Sequence, residues 1–113
     1  MSIIQSEHRY AKIAATKVNR LLPIIRGQEV GLSIQLLQAL PHRAARLVEA
    51  VVKTAAANAA EAGARNVDRL KIAHASADRG PMYKRIRPRA RGMAYLERHR
   101  SSHIRIGISV PEL

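Results

Sequence analysis

A chain of 113 residues with a formal charge of +12 and no cysteine has room for one modest core, but for no disulfide framework, thiolate nucleophile or cysteine metal site. Its eight carboxylates are dispersed along the chain, so no acid cluster offers general-base or metal chemistry, and no apolar run approaches the roughly 20 residues of a membrane span. What these numbers leave is one cationic domain whose natural partner is a polyanion.

Along the chain, residues 3–12 alternate in a way that permits a short strand. Residues 14–26 read as a helix, with Val18, Leu21, Leu22 and Ile25 on one face and Gly27 placed to end it. Pro23 removes a backbone donor there, so a kink or an early end is expected. Residues 29–39 suggest a second helix with Val30, Ile34, Leu36 and Leu37 inward. Pro41 suits the first turn of a third, which carries the stripe Ala44, Leu47, Val48, Val51, Ala55 and Ala59 and stops at Gly63. The alanines at 55–60 either permit close approach of another backbone or are simply good helix formers.

Beyond residue 66 the period falls to two. Leu70, Ile72 and His74 alternate with Lys71, Ala73 and Ala75, and Ile104, Ile106, Ile108 and Val110 alternate with His103, Arg105, Gly107 and Ser109. Between these two strands lies a basic, turn-rich segment. Residues 79–100 hold eight Arg and Lys against Glu97 alone, and seven of the eight are Arg. The pattern predicts a long antiparallel hairpin whose base packs on the helices and whose tip projects.

The Arg-rich hairpin is the strongest functional signal. A guanidinium grips phosphate through a planar fork and stacks on bases, and Arg-rich segments that order on binding are a mode of RNA recognition. A merely solubilising loop would mix its signs. Only Tyr10, Tyr83 and Tyr95 are aromatic, too few for an extended single-strand platform, so recognition of the shape and backbone of folded RNA is expected. Asn58, at the edge of the third helix's stripe, has two readings: a bond to neighbouring backbone, or an RNA contact. Lys17 and Arg20 either meet phosphate or form an ordinary solvated face. Ser101-Ser102-His103 lacks the glycine elbow and orienting acid of a nucleophile, and the five histidines have no acid cluster to complete a metal site. No catalytic residue, metal or cofactor is expected.

In its order of motifs the chain resembles the ribosomal protein L-twenty-two family of the large subunit, bacterial or organellar in type, from about His8 to Ile108. The resemblance rests on Ile25-Arg26-Gly27, on Ala55-Ala56-Ala57-Asn58-Ala59, and on Gly80-Pro81 followed by Lys84-Arg85, Pro88-Arg89-Ala90, Gly92 and Ser102-His103-Ile104. It implies an α+β fold, with three helices packed on a small three-stranded antiparallel sheet and a long projecting basic β-hairpin. Residues 1–113 then form a single rRNA-binding domain, globular over about 1–77 and 101–113 and extended over about 78–100.

The resemblance also implies function: a structural, non-enzymatic constituent of the large subunit that binds 23S-type rRNA in several domains, supports assembly and lines the polypeptide exit tunnel. Carried over by position, Lys84, Arg85, Ile86, Arg87, Pro88, Arg89, Ala90, Arg91 and Gly92 form the hairpin tip. Lys17, Arg20, Arg26, Asn58, Arg98, Arg100, Ser102 and His103 join the basic tip residues as RNA contacts. Neighbouring ribosomal proteins and, transiently, the nascent chain are the other implied partners, with no membrane and no homo-oligomer. The implied location is the ribosome, cytoplasmic or organellar. The chain departs from the family pattern at Ala14, Asn19, Pro23, Met93 and Glu97. The rival functions are a non-ribosomal architectural binder of DNA or RNA and an enzyme acting on nucleic acid.

Overall fold

The computed structural model describes residues 2–111. Its elements run β1 (Ser2–Ala11), α1 (Ala15–Asn19), α2 (Leu22–Ile25), α3 (Val30–Ala39), α4 (Arg43–Glu61), β2 (Ile72–Arg79), β3 (Tyr83–Pro88), β4 (Ala94–His99) and β5 (Ser102–Val110), with short 3₁₀ turns at Val67–Arg69 and Ala90–Gly92. Two antiparallel sheets result: a three-stranded sheet in the order β1-β5-β2, and a two-stranded ribbon of β3 and β4. This is an α+β architecture.

The centre of the fold is β5. Its alternation carries over directly into burial: Ile104, Ile106, Ile108 and Val110 are fully buried. In register, Ile106 stands between Ser6 of β1 and Ala75 of β2, and Ile108 between Ile4 and Ile72. The long helix α4 covers this face with Ala44, Ala45, Val48, Val51, Val52, Ala55 and Ala59, all buried. Ala55 and Ala59 thus serve close approach to the protein's own sheet, while Leu47 is only half-buried. The register of β2 differs from simple alternation. A bulge between Ile72 and His74 shifts its phase, so Ile72, Ala75 and Ala77 point inward and His74 is exposed.

The expected first helix is two short ones. The chain breaks after Asn19, and α2 restarts at Leu22 with Pro23 in its first turn, where the missing N–H has no intrahelical partner to lose. Pro41 does not open α4. It precedes the cap residue His42, and the helix begins at Arg43. At the other end, Gly63 adopts φ 103 and Ala64 N–H closes back on the carbonyl of Ala59 at 3.0 Å. Where α3 ends, Arg46 of α4 caps the exposed carbonyls of Leu37, Gln38 and Leu40 with a single nitrogen, Nη2.

The outer edge of β2 is covered. Gly27 N–H donates to Ile72 O at 2.9 Å, Ile72 N–H donates to Gln28 O at 3.0 Å, and the side chains of Asn19 and Arg26 donate to Ala77 O and Ala75 O. The ribbon lies outside this core. Every residue of β3 is exposed, and of β4 only Glu97 is half-buried. The molecule measures 65 × 25 × 18 Å with a radius of gyration of 17.2 Å, against about 13 Å for a compact domain of this size. No helix among the described residues is long and apolar enough to cross a membrane.

Candidate nucleic-acid interface

The ribbon inherits its direction from the central sheet. After β2, Gly80 N–H donates to Ser101 O at 3.0 Å, and Ser101 Oγ donates to Pro81 O at 2.6 Å, so the two crossing strands are stitched together at the root. Glycine leaves room for this bond: a Cβ on Gly80 would lie 2.5 Å from Ser101 Oγ and push the hydroxyl aside. From this joint the pairs run Tyr83–His99, Lys84–Arg98, Arg85–Glu97, Ile86–Leu96, Arg87–Tyr95 and Pro88–Ala94. Side chains alternate across the ribbon. One face therefore carries Tyr83, Arg85, Arg87, Tyr95, Glu97 and His99, and the other carries Lys84, Ile86, Pro88, Ala94, Leu96 and Arg98. The tip turns through two left-handed residues, Arg91 at φ 63 and Gly92 at φ 70.

At the root, the ribbon and the first part of the chain enclose a groove of about 1040 Å³. Lys84, Arg85, Arg98 and Arg100 enter from the ribbon and its root, Lys12 and Lys17 from the end of β1 and from α1, and Arg43 from the start of α4. Among the described residues, seven cations and no carboxylate line it, together with Tyr10, Tyr83 and His99. A smaller depression of about 330 Å³ continues past Lys17 to Arg20, His42 and Arg43. Like charges brought together this way repel one another in the free chain, and a polyanion relieves the repulsion.

Of the residues expected to bind RNA, the structure thus unites Lys17, Lys84, Arg85, Arg98 and Arg100, with Arg20 alongside. Arg87, Arg89 and Arg91 lie further out along the ribbon. Arg87 Nε pairs with Glu97 at 2.8 Å, and the Arg89 guanidinium sits 5.0 Å from the centre of the Tyr95 ring.

Four expected contacts lie elsewhere. Arg26 spends its fork on Ala75 O, at 3.0 Å from Nε and 2.8 Å from Nη2. Asn58 Nδ2 reaches the carbonyl of Gln5 at 3.5 Å, which is its backbone-bonding alternative. His103 Nδ1 accepts the N–H of Tyr10 at 3.1 Å. Ser102 is fully buried, and its Oγ has no hydrogen-bond partner among the described residues, so it cannot touch RNA from where it stands. Alternation along β5 turns it inward, opposite Ala11 and Arg79.

Lys12, Arg43 and Tyr10 were not legible as site residues. One signal existed for Arg43. It stands in the first turn of a helix that has no acid there, where the helix dipole disfavours a cation. For Lys12 and Tyr10 nothing in the local sequence announces that they face a ribbon some 70 residues away.

The model of the family Ribosomal protein L22p/L17e matches residues 6–109. The chain belongs to this family. Its members are structural, non-enzymatic ribosome components. Among its relatives, the large ribosomal subunit protein uL22 of Rhodopirellula baltica is 39% identical over 114 residues, covering 96% of each chain. The uL22 protein of Caldicellulosiruptor saccharolyticus is 47% identical over 98 residues, which is 87% of this chain and 80% of the relative. That of Aquifex pyrophilus is also 47% identical over 98 residues, covering 87% of this chain and 73% of the relative. The L22p/L17e match takes in the whole ribbon and all of the groove's cations.

Proposed function

We propose that this chain is a structural constituent of the large ribosomal subunit that binds 23S-type rRNA, supports subunit assembly and lines the polypeptide exit tunnel with its basic ribbon. The observation that carries the reading is the groove at the ribbon's root, where seven cations and, among the described residues, no carboxylate converge. Around it, the globular part (about 1–77 and 101–113) anchors on RNA, and the ribbon (about 78–100) neutralises phosphates of RNA segments that converge on it. The protein's contribution is cohesion rather than catalysis. Each phosphate neutralised releases counterion, so affinity falls steeply with added salt.

Family membership supports the ribosomal setting, and the relatives, which are large ribosomal subunit proteins, support the large subunit. Neighbouring subunit proteins and, at the tip, the passing nascent chain complete the set of partners, and the protein acts as a single copy rather than as a homo-oligomer. The test is charge reversal. Replacing Arg85, Arg87 and Arg89 together with Glu should abolish stable incorporation into the large subunit while leaving the far-UV circular dichroism of the free protein unchanged. Normal incorporation of the triple variant would remove the ribbon from the rRNA interface.

A further inference from the structure

Phosphate recognition leaves one feature of the groove unused, its exposed rings. Tyr10 holds φ 57, a region that bulky L-residues rarely occupy. The irregularity between His8 and Ala11 sets it there, and two contacts hold it. Its N–H donates to His103 Nδ1 at 3.1 Å, which leaves the imidazole proton on Nε2. Its ring meets the His103 ring edge-on, with centroids 4.9 Å apart and planes at 87°. So constrained, Tyr10 is nevertheless 60% exposed and lines the groove. Tyr83 enters the same groove from β3, 74% exposed, beside its cross-strand partner His99. Core burial accounts for neither ring.

A surface that read only the phosphates of a duplex would have no use for two exposed rings. An unpaired nucleotide presents a flat base flanked by phosphates, and the groove offers flat faces flanked by cations. Its volume of about 1040 Å³ leaves room for one nucleotide and the phosphates on either side of it. We propose that the groove takes an unpaired, splayed-out RNA nucleotide. The base stacks on Tyr10, with Tyr83 on the other flank, and the adjoining phosphates meet Lys12, Lys17 and Arg43. This rests on the rRNA-binding reading and adds a nucleotide conformation to it: recognition of unstacked bases on aromatic side chains is how proteins read single-stranded RNA loops and bulges.

The probe is a pair of fluorescein-end-labelled RNA hairpins that differ only in a single bulged adenosine, titrated by fluorescence anisotropy over a salt series. The wild-type chain should bind the bulged hairpin about tenfold more tightly, the scale of one base stacked on an aromatic ring. Tyr10→Asn removes the ring with a residue that tolerates the left-handed region. It should bring the two hairpins within about twofold of each other without changing the salt slope, and Tyr10→Phe should keep the preference. Tyr83→Ser, on the exposed ribbon, should weaken the preference as well, and it carries the test if Tyr10→Asn fails to fold. Equal binding of both hairpins by the wild type, or an undiminished preference in the ring-deleted variants, would overturn the nucleotide pocket while leaving rRNA binding intact. Binding to neither hairpin at low salt would overturn both readings.

Discussion

Arg26 closes the open side of the sheet: from just beyond α2 its guanidinium donates twice to the carbonyl of Ala75, at 3.0 and 2.8 Å. The acceptor lies on an edge strand, so without Arg26 a partly buried carbonyl loses its partner. Charge-assisted hydrogen bonds of this kind contribute about 1.5–3 kcal/mol. Arg26→Ala should lower the urea midpoint by an equivalent amount. Arg26→Lys should recover only part of it, since an ammonium cannot reproduce the two-pronged fork. If RNA binding alone fell and the midpoint held, Arg26 would belong to the interface instead.

At the ribbon's root, Gly80 and Ser101 are coupled. A methyl group at position 80 would displace Ser101 Oγ, 2.5 Å away, from its bond to Pro81 O. Gly80→Ala should destabilise the protein by about 1–2 kcal/mol, within the range for a forced repacking. Adding Ser101→Gly should restore part of that loss. The coupling in this double-mutant cycle, read from urea denaturation, should exceed about 0.5 kcal/mol.

Glu97 is the single acid of residues 79–100, and it is shared by Arg87 at 2.8 Å and His99 at 3.4 Å. Exposed pairs of this kind contribute about 0–1 kcal/mol, so Glu97→Gln should barely change stability. By freeing Arg87 and raising the ribbon's charge by one, it should tighten binding to a large-subunit rRNA fragment at low salt and steepen the salt dependence by up to about one unit of slope. Both effects are read in one filter-binding salt series.

Glu49 contributes to the acid limb of the stability profile. Its buried carboxylate accepts from Gln38 at 3.0 Å and pairs with Lys53 at 3.1 Å and Arg46 at 3.2 Å. The Gln38 bond first and Lys53 next hold its pKa below the ordinary carboxylate value of 4.5, against a desolvation that pushes it up. The native state therefore binds this proton less readily than the unfolded chain does. Its contribution is fully present above the unfolded pKa and is lost as pH falls through the lower folded value. Urea midpoints should drop as pH falls below about 4.5, and Glu49→Gln should flatten that drop.

Much of this was legible because period and burial agree. The alternation of Ile104, Ile106, Ile108 and Val110 marked the central strand, and the stripe from Ala44 to Ala59 marked the helix above it. Pro23 announced the break in the first helix, though not that the chain would restart around it. The bulge at Ile72/His74 was invisible, because an added residue in one strand is set by its partner's register rather than by its own sequence. Charge density announced the ribbon. The groove was hidden because it joins Lys12 and Tyr10 to Lys84 and Arg98 through the fold alone. Ser102, expected as an RNA contact from its position in the family motif, is turned inward instead, because a match of motif does not say which neighbours a strand turns toward the core.

The decisive measurement is sedimentation of a tagged copy from cell extract through a sucrose gradient, before and after a high-salt wash. Stable co-migration with the large subunit before the wash, weakened but still present after it, is the expected result. Migration in the light fractions or with bulk DNA would contradict the ribosomal role and leave a general architectural nucleic-acid binder.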